Sequence, residues 1–217
     1  MPKPYYDDGF RIIYHGDCQE VLPEIDPVSL ILTDPPYGLK ITRKSKNFGS
    51  KADLNRKATG ENWDDKPPDP KIWPLLFDKS ENQIVFGANY FWEYFYSTPC
   101  YIIWDKRGDL PKVPFSPTEL AWTSFSRMPV KYTCINHGFI KDSKEWQGHP
   151  TQKPLKLFSA ILKDFTDNNC VIADPFMGSG TTLRAAKNLN LGAIGIEIEE
   201  KYCEMAANIL SQEVLSF

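Results

Sequence analysis

The stretch CVIADPFMGSGTT, residues 170–182, constrains the fold more than any other part of the sequence. Its apolar start is typical of a buried strand, Gly178 and Gly180 follow, and a helical pattern begins at Thr181. A strand, a tight glycine turn and a helix in this order bring the backbone close to a small ligand at a helix N-terminus. The dinucleotide fingerprint would need a third glycine where the chain has Leu183. A turn that merely requires glycine remains the alternative.

The rest of the chain alternates short apolar runs with amphipathic stretches, which is the pattern of an α/β fold. The predicted strands are 11–15, 28–33, 83–87, 101–105, 119–125, 130–136, 170–173 and 191–198. The predicted helices are 18–25, 88–97, 155–168, 181–190 and 199–215. We expect one domain with a mostly parallel sheet and helices on both faces. The strands at 119–125 and 130–136 are expected to pair through the turn at 127–129 and to form an antiparallel edge.

Composition narrows the class of protein and its compartment. The five cysteines are scattered without a C-x-x-C pair and there are three histidines, so a structural zinc site is not expected. No apolar run approaches the roughly 20 residues of a membrane span, and we expect a reducing cytoplasmic location. The net charge is −3, yet residues 38–57 hold seven Lys or Arg and one acid, Asp53. The whole segment 38–80 is polar and is predicted to be irregular, as functional loops of this length often are.

Acidic residues follow the predicted strands at four places: Asp17, Asp34, Asp174 and Glu197. The carboxyl ends of parallel strands meet at one edge of a sheet, where ligands bind beside a topological switch point. We therefore expect these four side chains to lie close together. Glu197 lies 17 residues beyond Gly180, close to the spacing at which an acid reaches ribose hydroxyls. A solvated strand end is the alternative for Glu197.

Three motifs resemble the amino-group DNA methyltransferases that use S-adenosylmethionine: DPPYG at 34–38, HPTQKP at 149–154 and DPFMGSGTT at 174–182. Their order, with the catalytic motif first, resembles the class called beta, and the resemblance spans residues 11–210. It implies a Rossmann-like methyltransferase fold. Such a fold has a mostly parallel seven-stranded sheet with an antiparallel edge strand and helices on both faces.

By this resemblance the catalytic residues are Asp34, Pro35, Pro36 and Tyr37. An exocyclic amine is a poor nucleophile, since its lone pair is delocalised into the ring of the base. Asp34 and the Pro35 carbonyl would accept hydrogen bonds from the amine and aim its lone pair at the methyl group. Tyr37 would stack on the base, which must leave the duplex to be reached. The alternative is a rigid strand exit with an aromatic plug.

The resemblance also implies a set of residues that bind S-adenosylmethionine. The expected contacts are Asp174, Phe176, Gly178, Ser179, Gly180 and Thr181 for the methionine end, Thr151 and Gln152 for its carboxylate, Asp17 for the adenine, and Glu197 for the ribose. Lys153, at the start of a helix, is expected to be solvated, with a cofactor contact as the alternative. His149 is expected to be structural or to donate a hydrogen bond at the mouth of the site. No metal ion is expected.

Lys40, Arg43, Lys44 and Lys46 follow Tyr37 directly and are predicted to contact phosphates of double-stranded DNA. A solvated loop is the alternative. The resemblance implies a site-specific adenine-N6 DNA methyltransferase of a prokaryote or phage. Cytosine N4, an RNA or protein amide substrate, and an inactive DNA-recognition subunit stay open. Only 38–80 and 107–148 are available for target recognition, so we expect recognition that is short, degenerate or supplied by the partner in a homodimer. The resemblance also implies a cognate restriction endonuclease as a partner.

Overall fold

The computed structural model describes residues 2–39, 66–111, 116–137, 140–141 and 152–212, which contain five α-helices and eleven strands. The helices are α1 (Cys18–Val21), α2 (Ile72–Lys79), α3 (Leu155–Phe165), α4 (Thr181–Asn188) and α5 (Glu200–Ser211). The strands are β1 (Tyr6–Asp7), β2 (Arg11–His15), β3 (Val28–Thr33), β4 (Ser80–Phe86), β5 (Tyr101–Asp105), β6 (Thr118–Thr123), β7 (Val130–Thr133), β8 (Asn136–His137), β9 (Ile140–Lys141), β10 (Val171–Asp174) and β11 (Gly192–Glu197).

One sheet contains nine of these strands, in the order β1-β2-β11-β10-β3-β4-β6-β5-β7. From β2 to β4 every neighbouring pair is parallel, as is the pair β5 and β7. β6 runs antiparallel to both of its neighbours, and the two-residue β1 is antiparallel to β2 at one edge. The predicted α/β class with a mostly parallel sheet is confirmed, although this sheet has nine strands where seven were expected.

Side-chain alternation along the strands supplies the core on both faces of the sheet. In β3, Leu30 and Leu32 belong to the hydrophobic cluster that includes the buried faces of α3, α4 and α5. Ile31 belongs to the opposite cluster, which includes buried residues of α1 and α2. The expected helices on both faces are therefore present. No helix among the described residues is long and apolar enough to cross a bilayer.

The predicted helix at 88–97 is wrong. The segment instead forms two 3₁₀ turns, Ala88–Tyr90 and Trp92–Tyr94. Its aromatic rings pack onto Trp73 of α2, with ring-centroid distances of 5.0 Å for Phe91 and 5.7 Å for Tyr94. Aromatic residues have only modest helix propensity, so packing against α2 decides the backbone conformation.

The predicted pairing of 119–125 with 130–136 is also wrong. β5 lies between β6 and β7, antiparallel to the first and parallel to the second. The antiparallel strand β6 therefore occupies an interior position, where it also pairs with β4. Nearness in sequence favours a hairpin between the two segments. Instead, β5 lies inside the sheet, where its backbone forms hydrogen bonds with a neighbouring strand on each side.

The segment 38–80 is not irregular throughout, because α2 occupies Ile72–Lys79 and β4 begins at Ser80. Ile72, Trp73 and Leu76 are buried at helical spacing. Pro74 within the first turn of α2 obscured this pattern, although proline is tolerated there. Residues 40–65 lie outside the described residues.

Candidate active site

The strand order places a topological switch point between β3 and β10. The chain leaves β3 for β4 on one side, and leaves β10 for β11 on the other. In such sheets the crevice at the carboxyl ends of the two strands is the ligand site. Asp34 follows β3 and Asp174 ends β10, so the two loops flank this crevice. A hydrogen bond of 2.8 Å from the Thr33 hydroxyl to the Asp174 carboxylate joins the two strand ends.

Asp34 is held by groups on both of its carboxylate oxygens. The Tyr37 hydroxyl donates to Oδ1 at 2.5 Å, and the Lys153 ammonium donates to Oδ2. The Asp34 side chain retains 21% exposure, whereas that of Lys153 retains 8%. The expectation of a solvated Lys153 is therefore wrong, because the ion pair with Asp34 holds it inside the site.

Lys153 also contacts a second acid. Its ammonium lies 3.2 Å from Oε2 of Glu119 in β6, and the other oxygen of Glu119 accepts a hydrogen bond of 2.8 Å from Lys106. The cation lies within 6.0 Å of the ring centroids of Tyr37, Phe86 and Trp104. Two acids and two lysines thus alternate from the crevice into the sheet, in the order Asp34, Lys153, Glu119 and Lys106.

In this row, burial and the neighbouring opposite charges shift the pKa of each of three groups in opposite directions. Burial raises the pKa of Asp34 above its ordinary value, although Lys153 lowers it. Burial by itself would lower the pKa of Lys153, but Asp34 and Glu119 together hold that pKa above its ordinary value. Burial would raise the pKa of Glu119, yet the two lysines keep it below the ordinary value. Lys153 is therefore a cation at neutral pH.

Tyr90 and Gly87 both pack against the Tyr37 ring. Tyr90 stacks on it with a centroid distance of 4.9 Å and an interplanar angle of 22°. Gly87, at a φ of 68°, leaves room for the ring edge, since a Cβ on Gly87 would lie 2.0 Å from Tyr37 Cε1. Burial raises the pKa of Tyr37 well above its ordinary value, so its hydroxyl stays protonated and can donate. The stacking partner of Tyr37 in this state is another tyrosine.

Asp174 shapes the glycine turn from inside. It is 3% exposed, and its carboxylate accepts hydrogen bonds from the hydroxyls of Thr33 and Thr182 and from the Phe176 amide. Burial raises its pKa to about 6. Asp174 therefore fixes the turn that it was expected to share with the cofactor, and any contact with the cofactor would be additional to these bonds.

The turn itself brings Glu197 beside the glycines. Gly178 and Gly180 adopt positive φ angles of 53° and 84°, which side chains rarely tolerate. The Gly178 amide donates to Glu197 Oε2 at 2.9 Å, and the Glu199 amide donates to Oε1. Burial raises the pKa of Glu197. Ser179 and Thr181 are both buried within this turn.

Asp17 completes the row of acids at this edge of the sheet. It caps the N-terminus of α1, where its carboxylate accepts a hydrogen bond of 2.8 Å from the Gln19 amide. The Gly16 amide donates to the Glu197 carbonyl across β2 and β11. The four acids thus follow or end neighbouring strands in the order β2, β11, β10 and β3, along one edge of the sheet.

The buried side-chain oxygen of Gln152 bears on whether these residues fit a methionine-like ligand. Its Oε1 atom is buried and has no hydrogen-bond partner in the described part of the chain. Such an atom is costly unless a donor satisfies it, and the ammonium of an amino acid is a suitable donor. The glycine turn, the acid at the end of β11 and this acceptor fit S-adenosylmethionine. Thr151, His149 and the predicted DNA-contact residues Lys40, Arg43, Lys44 and Lys46 lie outside the described residues.

The predicted site lacked several residues that the structure places in it: Thr33, Gly87, Tyr90, Lys106, Glu119 and Thr182. Lys153 was considered, but as a solvated residue. Its place next to Pro154, just before an amphipathic helix, was the local signal available. Glu119 gave no such signal, because an acid in a strand is ordinarily read as the solvent-facing position of the alternation.

Solved structures show the same fold. The M1.HpyAVI–SAM complex aligns with a TM-score of 0.61 at 24% identity, covering 93% of this chain and 100% of that chain. The PvuII DNA methyltransferase, described as cytosine-N4-specific, aligns with a TM-score of 0.65 at 18% identity, covering 99% and 91%. The chain therefore shares the fold of these two proteins.

Relatives and a family model define the class more narrowly. The type II methyltransferase M.HinfI of Haemophilus influenzae is 39% identical, over 98% of this chain and 71% of its own length. M2.LlaDCHI of Lactococcus lactis subsp. cremoris is 28% identical, over 98% and 93%. The model of the N6- and N4-type DNA methylase family matches residues 55–208, and the chain belongs to this family. Its methyl donor is S-adenosylmethionine, as predicted, and its substrate class is DNA.

Proposed function

We propose that the chain methylates the exocyclic N6 of adenine at specific sites in double-stranded DNA. The observation that carries this proposal is the position of Asp34, partly exposed at the carboxyl end of β3 beside the switch point. The DPPY form of the loop favours adenine within this family, and the same geometry would serve cytosine N4.

The proposed chemistry needs an acceptor for each hydrogen of the amine. Asp34 accepts one and the carbonyl of Pro35 accepts the other, which directs the nitrogen lone pair towards the cofactor side of the crevice. The Tyr37 hydroxyl fixes one oxygen of Asp34, so the carboxylate is oriented before the base arrives. The bound cofactor supplies an electrophilic methyl group. Pro36 keeps the loop rigid, since its φ is locked.

The base must be flipped out of the duplex to reach Asp34. The proposal assigns one face of the flipped base to Tyr37. Tyr90 stacks on Tyr37 at 4.9 Å, so a base that stacks on that face of Tyr37 has to displace Tyr90. Base stacking of this kind contributes roughly 1–3 kcal/mol.

A labelled methyl-transfer reaction tests the proposal. The purified chain is incubated with methyl-labelled S-adenosylmethionine and unmethylated DNA, and the DNA is then digested to nucleosides. We expect the label in N6-methyladenine, and no label in DNA with Asp34→Ala. Label in N4-methylcytosine would overturn only the choice of base. Label in RNA or protein, with none in DNA, would overturn the proposal as a whole.

The assignment of the glycine turn to the cofactor has its own test. Gly178→Val places a β-branched side chain at a φ of 53° and disturbs the amide that donates to Glu197. We expect binding of S-adenosylmethionine, measured by calorimetry, to be lost. Gly192→Ala is the matched control, since its Cβ would make only ordinary contact with Val171. Normal affinity of Gly178→Val would show that the turn has no role in binding.

The remaining partners stay predictions. Phosphate contacts by Lys40, Arg43, Lys44 and Lys46, the recognition regions within 38–80 and 107–148, a homodimer and a cognate restriction endonuclease are all proposed from the sequence. A cytoplasmic location is inferred from the bacterial type II methyltransferases to which the chain is similar.

A further inference from the structure

We propose that Glu119 is a positioning residue that shares Lys153 with Asp34, so that the lysine can withdraw towards Glu119 when the amine of the target base engages Asp34. The proposal deepens the methyl-transfer function and rests on it. It assigns a role in the reaction to an acid on the interior antiparallel strand β6, outside the three sequence motifs.

The need for such a residue follows from the contacts of Asp34. Lys153 donates to Oδ2 and Tyr37 donates to Oδ1, so both oxygens are engaged before any base arrives. An ammonium in direct contact weakens a carboxylate as an acceptor, because it draws electron density from the oxygens. A lysine held by Asp34 alone would therefore compete with the amine for the same group.

Glu119 supplies the second place for the cation. Its Oε2 atom lies 3.2 Å from the Lys153 ammonium, and this oxygen has no hydrogen bond of good geometry in the described residues. Its Oε1 is anchored by Lys106 at 2.8 Å, so Glu119 is fixed while Oε2 remains available. A small shift of the ammonium exchanges one acid for the other without changing the net charge of the site.

The packing around the cation keeps this exchange local. Lys153 is 8% exposed and is enclosed by the rings of Tyr37, Phe86 and Trp104. Water therefore cannot easily replace Glu119 as the second acceptor. Among the residues that the structure describes, the charged or titratable groups that face Asp34 include Tyr37 of its own loop, Lys153 before α3, Glu119 of β6 and Asp174 of β10, with Lys106 after β5 acting through Glu119.

Two substitutions separate this role from a structural one, because they remove opposite charges from the same cluster. Glu119→Gln removes a negative charge near Asp34 and leaves Lys153 with one acid. We expect kcat to fall roughly 10- to 100-fold, the effect of one charge-assisted hydrogen bond, with little change in the KM for the cofactor. The acid limb of the pH–rate profile should move to lower pH. Lys153→Met should move that limb to higher pH.

A direct titration gives a readout that does not need activity. In protein labelled with ¹³C at aspartate carboxyls, the Asp34 signal is assigned with Asp34→Asn, and its pKa is measured in each variant. We expect it to fall in Glu119→Gln and to rise in Lys153→Met. Glu81→Gln on β4 and Lys163→Met on α3, which change exposed residues, are the controls and should leave it unchanged.

The proposal would be overturned if Glu119→Gln and Lys153→Met shifted the Asp34 pKa in the same direction, or if Glu119→Gln kept the kcat of the wild type. If Glu119→Gln fails to fold, Lys106→Met replaces it and should raise the pKa of Asp34 by less than Lys153→Met does. The proposal would also be overturned if the Asp34 pKa stayed unchanged in both Lys106→Met and Lys153→Met. A wild-type protein without methyl transfer would refute the proposed function, while the titration would still report whether the charge is shared.

Discussion

Asp174 illustrates at the scale of one residue how the site is held together. Its carboxylate is buried and accepts hydrogen bonds from neutral donors, two hydroxyls and one amide. Neutral donors compensate only part of the desolvation of a charge, which is why burial raises the pKa to about 6. At neutral pH the ionised carboxylate therefore orders the glycine turn at a cost to the stability of the fold.

Asp174→Asn should remove that cost and its pH dependence. Between pH 3.8 and about 6 the folded wild type binds more protons than the unfolded chain at this residue. The contribution of Asp174 to the free energy of unfolding therefore falls as pH rises through this window and stays low above it. Relative to wild type, the variant should gain on the order of 3 kcal/mol between pH 4 and 7.

Denaturant unfolding of both proteins at several pH values measures this difference. Asp78→Asn, at an exposed position on α2, is the control and should follow the wild-type pH dependence. A constant difference between Asp174→Asn and wild type across the window would contradict the prediction.

At the scale of the elements, the end of β4 decides where the Tyr37 ring can lie. Gly87 follows β4 with a φ of 68°, and a Cβ there would lie 2.0 Å from the ring. The DPPY loop after β3 and the turn after β4 are thus fitted to each other, although the sequence connects them only through the long segment 38–80.

Gly87→Ala should displace Tyr37 and lower kcat for methyl transfer by roughly tenfold or more, the scale expected for misplacement of a positioning group. Gly9→Ala is the matched control, since Gly9 also has a positive φ of 86° but nothing within 4 Å of its Cβ. Both variants carry the backbone strain of about 1–3 kcal/mol, and only Gly87→Ala carries the clash. Equal activity of the two variants would refute the fit.

The strands and helices also show how much of the fold could be predicted from the sequence. Strand ends at Asp34, Asp174 and Glu197 were predicted, because apolar runs that stop at an acid or a proline are local signals. The position of β5 between β6 and β7 was not predicted, since strand order is set by contacts between residues distant in the chain. Lys153 was misjudged for the same reason, as its partner Asp34 is 119 residues away.

For the whole molecule, the uneven charge distribution matters more than its sum. A net charge of −3 does not favour nucleic acid, whereas residues 38–57, for which DNA contacts are proposed, hold seven Lys or Arg and one acid. These residues follow Tyr37 in the sequence, which is why contacts with the phosphates of a target strand are proposed for them.

Replacing Lys40, Arg43, Lys44 and Lys46 by glutamate should weaken binding to duplex DNA and flatten its salt dependence. Each phosphate contact contributes about 0.9 to the slope of log K against log salt, so loss of four contacts should reduce the slope by about 3–4. Fluorescence anisotropy across a salt series measures it, and S-adenosylmethionine affinity should be unchanged. An unaltered slope would assign DNA binding to another surface.

The switch point between β3 and β10 also governs the order in which the sheet can be assembled. β2 and β3 are close in sequence but are not neighbours, because β11 and β10 are inserted between them. Ile172 lies opposite Leu30, and Ala193 lies opposite Arg11. During synthesis the centre of the sheet therefore stays incomplete until residues 171–197 have emerged. Until then, one apolar edge of β2 and one of β3 have no neighbouring strand. Pairings of such long sequence separation fold slowly and expose the chain to aggregation meanwhile.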